Sequence, residues 1–331
     1  MSKPIFTIIM DTYNRSALLK EAVNSLFRQT YDNIEIILIN NGATDETVEY
    51  LHEIASKDKR IKLVHFKENQ YSPNDPTKML DTCLNAALKI AKGDYIWYQS
   101  DDDLISDNYA EKMISLFEGN SECITAAGLP ISIDLKGHVL DSQSRTHNFR
   151  PRYMPGHLVT LDHLKGGTMF SAPGTIFTIK REILIKSGGY HRSIELSHIL
   201  GIVPFGITGF DETAILYWRR HQNQLNKQLN VAGHIGITET LTLLKDWKIK
   251  ERLSIFGEPL AKEMVSIIKK KLCITAATWF VINLYSLRFR ASLRIIHDIW
   301  FLFFFWTKTS FFLWKYKRTL GHHLKLLFQL H

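Results

Sequence analysis

The first hundred residues alternate short apolar runs with amphipathic stretches, and that alternation limits the chain to few architectures. Residues 4–10 read as a buried strand, 34–39 as a second, 61–66 as a third and 95–99 as a fourth. Residues 16–28, 45–55 and 76–91 lie between them with helical spacing; Leu18, Leu19, Ala22, Val23 and Leu26 share one face of the first. Ser16 is placed to cap that helix, and Thr44 or Asp45 the next. A strand with one wet face alternates apolar and polar residues, whereas a strand apolar throughout is covered on both faces. The pattern therefore predicts an α/β domain with a mostly parallel sheet and flanking helices. Ligands of such sheets gather at the carboxyl ends of the strands. That rule singles out residues 11–15, 40–45 and 100–103.

The formal net charge is +8, but it is unevenly placed. Residues 262–331 carry twelve Lys/Arg against two Asp/Glu, which leaves the rest of the chain at −2. A near-neutral body excludes a general nucleic-acid binder, whose positive footprint lies on the folded domain. A basic tail suits an anionic lipid surface. Cys83, Cys123 and Cys273 show no C-x-x-C spacing, so they read as reduced buried thiols rather than disulfides or zinc ligands. The apolar run that ends at Met10 is too short for a signal-peptide core and meets Asp11.

The middle is less regular. Residues 134–138 read as a turn, 148–157 and 166–174 as loops, 175–179 as a strand, and 180–186 as a helix stopped by Gly188 and Gly189. In the last third, residues 272–287 and 299–314 are apolar stretches of 16 residues each. Both fall short of the roughly 20 that span a bilayer. Phe301, Phe303, Phe304, Phe305, Trp306, Phe311, Phe312 and Trp314 crowd the second stretch beside Lys308, Lys315, Lys317 and Arg318. Helices lying in a membrane interface have this composition. The plainer reading is a helical appendage packed on the catalytic domain.

The sharpest chemical signal is Gln99-Ser100-Asp101-Asp102-Asp103, straight after the fourth strand. Adjacent carboxylates repel, and are tolerated in water or beside a compensating cation. Oxygen ligands on a partly hydrated site suit Mg²⁺ or Mn²⁺ bridging to a diphosphate. Asp101 is accordingly expected to be partly exposed. In the bland reading, Asp103 or Ser106 simply caps the helix that runs to Phe117.

Four segments in order give this signal its context. They are Thr7-Ile-Ile-Met-Asp-Thr-Tyr-Asn-Arg15, Ser25-Leu-Phe-Arg-Gln-Thr-Tyr31, Glu35-Ile-Ile-Leu-Ile-Asn-Asn-Gly-Ala-Thr-Asp45 and Ala91-Lys-Gly-Asp-Tyr-Ile-Trp-Tyr-Gln-Ser-Asp-Asp-Asp103. Together they resemble the family 2 glycosyltransferases over about the first 105 residues. The resemblance implies a GT-A-type fold and a nucleotide-sugar donor. Asp11, Thr12, Tyr13 and Arg15 would line the base and phosphates, and Asn41 would accept from the base. Asn85 would approach the donor, Asp102 the ribose or the metal, and Asp101 would be the metal ligand of the family's D-x-D. Tyr217-Trp-Arg-Arg-His-Gln-Asn-Gln-Leu225 is similar to the family's later R-x-H segment. Arg219 and Arg220 would pair with phosphate, and His221 would join Asp101 and Asp103 at Mn²⁺ or Mg²⁺.

The sequence departs from the family at Gln99, where the first D-x-D carboxylate is expected, at Asn40 and Asn41 in place of two acids, and at Asp11. An Asn carbonyl still accepts from a uracil N–H, so UDP is modestly favoured. The inverting mechanism that the family implies needs a carboxylate to deprotonate the acceptor hydroxyl. Glu195 is the first choice by position and Asp211 the second; either could be a surface acid. The expected layout is a catalytic domain over residues 1–228, with donor binding at 1–105 and the acceptor half at 106–228. Residues 229–331 follow as a helical, basic and aromatic membrane-associating region. The expected partners are a nucleotide-sugar donor, a glycan or lipid-linked acceptor and the inner leaflet. The expected location is the cytoplasmic membrane face, peripheral or monotopic. Two alternatives stand: an inactive membrane-associated scaffold with the same fold, and a nucleotidyltransferase. The latter should carry a Gly-rich phosphate loop after the first strand, where residues 11–15 have no glycine.

Overall fold

The computed structural model describes residues 3–72, 78–140, 151–166, 176–191, 194–222, 224, 237, 241, 244, 249–285 and 295. The chain forms two compact units, Met1–Lys227 and Gln228–His331.

In the first unit β1 (Phe6–Thr12), β2 (Ile34–Asn41), β3 (Ile61–Phe66) and β4 (Tyr95–Tyr98) alternate with α1 (Ser16–Phe27), α2 (Thr47–Lys57) and α3 (Lys78–Ile90). β1 pairs in parallel with β2 and β4, and β2 with β3. Every residue of β2 is buried, as are six of the seven in β1, which explains their continuous apolar runs. One face of β1 and β2 (Phe6, Ile8, Met10, Ile34, Ile36, Leu38) packs with Leu19, Ala22, Val23 and Leu26 of α1 and with Leu51 and Ile54 of α2. Asp45 Oδ1 accepts the Thr47 N–H at 3.0 Å from one residue before the Glu46 N-cap of α2. Ser16 does not cap α1; its hydroxyl bonds the Glu46 carboxylate instead.

The second half of this unit corrects the expectation of a mostly parallel sheet. It adds β5 (Leu104–Ile105), α4 (Tyr109–Gly119), β6 (Cys123–Ile133), β7 (Tyr153–Pro155), α5 (Gly156–Lys165), β8 (Phe177–Lys180), α6 (Arg181–Lys186), α7 (Ile194–Gly201) and β9 (Ile207–Arg219). Among the described residues one sheet runs β3-β2-β1-β4-β8-β6-β9-β5, with β7 also on β9. β8 lies antiparallel between β4 and β6, so β6 and its parallel partner β9 run the same way as β4. The carboxyl ends of β1, β2, β4, β6 and β9 thus share one edge. The loop expected at 148–157 instead holds β7 and the start of α5, with Pro155 at the N-cap. Residues 134–138 do turn, with Gly137 at φ +85°. Gly188 and Gly189 end α6 at φ +98° and +83°, conformations that L side chains rarely adopt.

In the second unit the described part is Ile249–Leu253, a short 3₁₀ turn and the helix Glu258–Tyr285. Leu272, Cys273 and Ala276 of that helix are buried with Ile237 and Ile295. The start of the first apolar stretch therefore packs on protein. No described helix is long and apolar enough to cross a membrane. Residues 299–314 lie outside the described residues.

Candidate active site

Residues 101–103 leave β4 at the shared strand edge and are buried, at 5%, 6% and 1% exposure. The partial exposure expected of Asp101 is not found, because side chains rather than water compensate the turn. Asp101 Oδ2 accepts the Thr12 hydroxyl at 2.7 Å, and its Oδ1 meets Arg15 Nη1 at 3.0 Å. Arg15 Nη1 also lies 3.5 Å from Asp102 Oδ2, and His221 Nε2 stands 2.9 Å from the same oxygen. Asp103 Oδ1 accepts the Arg219 backbone N–H at 2.9 Å. Asp103 therefore closes the turn onto β9 instead of capping α4.

Burial pushes the Asp101 carboxyl up to about 7 against the pull of Arg15, with Asp102 and Asp11 adding repulsion. Burial and the Asp102 charge hold Asp103 well above the ordinary carboxylate range. Asp11 is raised by burial too, although the Tyr98 hydroxyl donates to it at 2.8 Å. The site has more buried acid than cation, which is the condition under which a bound cation is favoured.

The other predicted residues divide. Tyr13 is exposed at the same edge, at 40%. Asn14 beside it adopts φ +50°, held by its side-chain oxygen on the Thr44 N–H at 2.8 Å. Arg219, expected to pair with phosphate, is wholly buried. Its Nε donates to the Asp102 carbonyl at 2.8 Å, Nη1 to the Leu135 carbonyl at 2.6 Å and Nη2 to Glu21 at 2.6 Å. Arg220 lays its guanidinium over the Trp218 ring, 3.9 Å from the centroid. Asn85 exchanges two 2.8 Å bonds with the Tyr190 backbone, tying α3 to the Gly188-Gly189 turn. Asn41 is fully buried, and its oxygen accepts the Gln70 N–H at 2.9 Å.

The predicted metal set of Asp101, Asp103 and His221 is not gathered, since Asp102 rather than Asp103 meets His221. Among the described residues no three His, Cys, Asp or Glu are placed to hold a metal. The donor chemistry still fits. Mg²⁺-type sites commonly use one or two carboxylates and let substrate phosphates complete the shell, and Asp101 and Asp102 supply that much. Of the two candidate bases, Asp211 directly follows Phe210, whose partner Ala127 lies six positions before Ile133, the partner of Arg219. At roughly 3.3 Å per residue it lies about 20 Å from the turn. There it accepts Thr213 N–H and hydroxyl bonds at 2.9 and 2.5 Å. Glu195 belongs to α7, and its side chain lies outside the described residues. Sequence reasoning missed Glu21 and Tyr98, whose only signal is their placement across the sheet edge.

A family model described as glycosyl transferase family 2 matches residues 7–188. The chain belongs to this family. Among its relatives is an uncharacterized glycosyltransferase of Haemophilus influenzae, 34% identical over 145 residues, covering 43% of this chain and 42% of that protein. Another is the putative glycosyltransferase EpsH of Bacillus subtilis, 28% identical over 153 residues, covering 46% and 42%. This glycosyltransferase chain spans about half the length of the relatives it matches first, at 42% and 52% of theirs. Two solved structures share its fold. S. aureus TarS 1-349 with UDP-GlcNAc has a TM-score of 0.51 at 10% identity, covering 88% of this chain and 90% of that one. The mannosyltransferase PcManGT of Pyrobaculum calidifontis with GDP-Man and Mn²⁺ has a TM-score of 0.51 at 14% identity, covering 86% and 76%. The fold is thus GT-A-like, on a mixed sheet.

Proposed function

We propose that the protein moves a sugar from a nucleotide-sugar donor to a hydroxyl of a glycan or lipid-linked saccharide, inverting the anomeric carbon. One observation carries this reading: Asp101 and Asp102, clasped by Thr12, Arg15 and His221, join the carboxyl ends of β1, β4 and β9 in a family 2 fold. Tyr13 and Arg15 face the donor; Arg15 has 32% of its side chain exposed and can meet a diphosphate. Asp101 and Asp102 would hold Mn²⁺ or Mg²⁺, which would offset the charge of the departing diphosphate. The acceptor proton would go to the Glu195 carboxylate. The sequence argument for uracil leaned on the Asn41 oxygen, which Gln70 occupies, so the base is left to experiment. The ligand-bound neighbours hold UDP-GlcNAc in one case and GDP-Man in the other.

The second unit attaches the enzyme to the inner leaflet at the cytoplasmic face. Support comes from the aromatic and basic residues 301–318, whose cations each contribute on the order of 1 kcal/mol near anionic lipid. The deciding assay is nucleotide release from UDP-, GDP- and dTDP-sugars with Mn²⁺ and a panel of saccharide acceptors. One donor should release its nucleoside diphosphate in proportion to glycoside formed. Release of sugar 1-phosphate would indicate nucleotidyl transfer, and no turnover with any donor would favour the inactive scaffold. Full-length protein should also sediment with anionic liposomes at low salt and come off at high salt.

A further inference from the structure

The family resemblance assigns Asn85 to the donor, yet its amide is engaged at both ends by one residue of the acceptor half. Its Oδ1 accepts the Tyr190 N–H and its Nδ2 donates to the Tyr190 carbonyl, both at 2.8 Å. Both Tyr190 partners are backbone groups, so the amide takes the place of a strand neighbour. The turn before Tyr190 is built to the same side chain. Gly188 and Gly189 stand at φ +98° and +83°. A Cβ on Gly189 would lie 2.4 Å from Asn85 Oδ1 and 3.4 Å from Leu88 Cδ2. Only a glycine lets the turn sit this closely on α3. From the other side α6 holds it, as the Gly189 N–H donates to the Leu184 carbonyl at 2.9 Å.

Tyr190 carries the contact onward to α7. Its ring is buried, with its centroid 5.7 Å from that of His198. His198 is buried with neither ring nitrogen partnered, and burial pushes it down to about 3. An imidazole buried without hydrogen bonds is tolerated only in its neutral form. It packs there as an apolar ring, so shape rather than a directed bond seats α7 on Tyr190. α7 begins at Ile194, four positions after Tyr190, and carries Glu195. We infer that Asn85 is a positioning residue: through Tyr190 it sets the stand of α7, the helix of the proposed base, and it does not touch the donor. The inference rests on the proposed transfer, with Glu195 as its base.

Two variants test this, Asn85→Ala and Gly189→Ala, the second leaving every side chain of α3 in place. Binding of UDP-, GDP- and dTDP-sugars with Mn²⁺ is measured by calorimetry on the full chain without acceptor, and transfer is followed beside it. Positioning predicts that both variants bind the preferred donor within about twofold of the wild type while kcat for transfer falls roughly tenfold to a hundredfold, as when a reacting group shifts by about 1 Å. Undiminished binding stoichiometry certifies the fold. An Asn85 that touches the donor predicts another split: Asn85→Ala loses roughly tenfold in donor affinity, the scale of one buried hydrogen bond, and Gly189→Ala binds normally. That result, or full turnover by either variant, would overturn the inference while leaving the proposed function standing. Should Asn85→Ala fail to fold, Gly189→Ala decides; loss of folding in both would make the clamp a part of the fold alone and overturn the inference too. A wild-type chain that binds none of these donors, or transfers nothing, would instead remove the proposed function, and this inference with it.

Discussion

Two regions hold the same row of carboxylates, each with one arginine, and they do so in opposite ways. The loop after β1 offers Arg15, one-third exposed, which meets side-chain oxygens of Asp101 and Asp102. The end of β9 offers Arg219, wholly buried, which grips the backbone of the turn at Asp102, the Leu135 carbonyl and Glu21. Arg15 balances charge that a ligand can take over, whereas Arg219 fixes shape. Identical side-chain chemistry thus stands open to solvent at one strand end and is locked into architecture at another.

The largest expected effect is that of Arg219→Met. It would strand the Asp102 and Leu135 carbonyls and strip the turn of its anchor, costing on the order of 3 kcal/mol in urea unfolding. Glu21→Gln should cost under about 1 kcal/mol, because Glu21 is half exposed. A mild Arg219→Met would erase the distinction between the two arginines.

Arg15→Ala should move function more than stability. Donor affinity should fall by roughly tenfold to a hundredfold, as for a lost charge-assisted contact, with less than about 1 kcal/mol change in unfolding. Equal destabilisation by Arg15→Ala and Arg219→Met would mean that both regions are structural.

The smallest effect sharpens the charge balance. The Asp101 carboxyl sits at about 7 in the folded chain against an ordinary 3.8. Between those values the folded state holds the extra proton, so stability falls as pH rises through the window and the penalty is complete above about 7. Asp101→Asn removes that contribution. From about pH 5 to about pH 8 the wild type should lose roughly 2 kcal/mol more than the variant in metal-free urea titrations. Identical pH profiles would show that Asp101 is ionised throughout.

The donor half was legible because its signals are local. Apolar runs and helical spacing in residues 4–99 mark buried strands and their covering helices, and Asp45 accepts the Thr47 N–H within its own turn. The second half hid its strands. β6 contains Gly128 and Pro130, and Gly128 is required where a Cβ would lie 2.2 Å from the Ala214 carbonyl. β9 carries Asp211, Glu212 and Thr213 where its register against β6 shifts. Close approach across a sheet demands such residues, and they break the periodicity from which strands are read.

By itself the sequence determined the strand–helix order, the edge where ligands gather and the carboxylates on it. Tertiary structure decided strand direction beyond β4, the partnership of Asp102 rather than Asp103 with His221, the burial of Asn41, and the burial of Arg219 against the backbone of the Asp102 turn. The physical reason is separation along the chain. Arg219 meets Glu21 across 198 positions and Asp102 across 117. Exposure and partnership at such distances depend on which strands become neighbours, and no local pattern of residue types encodes that.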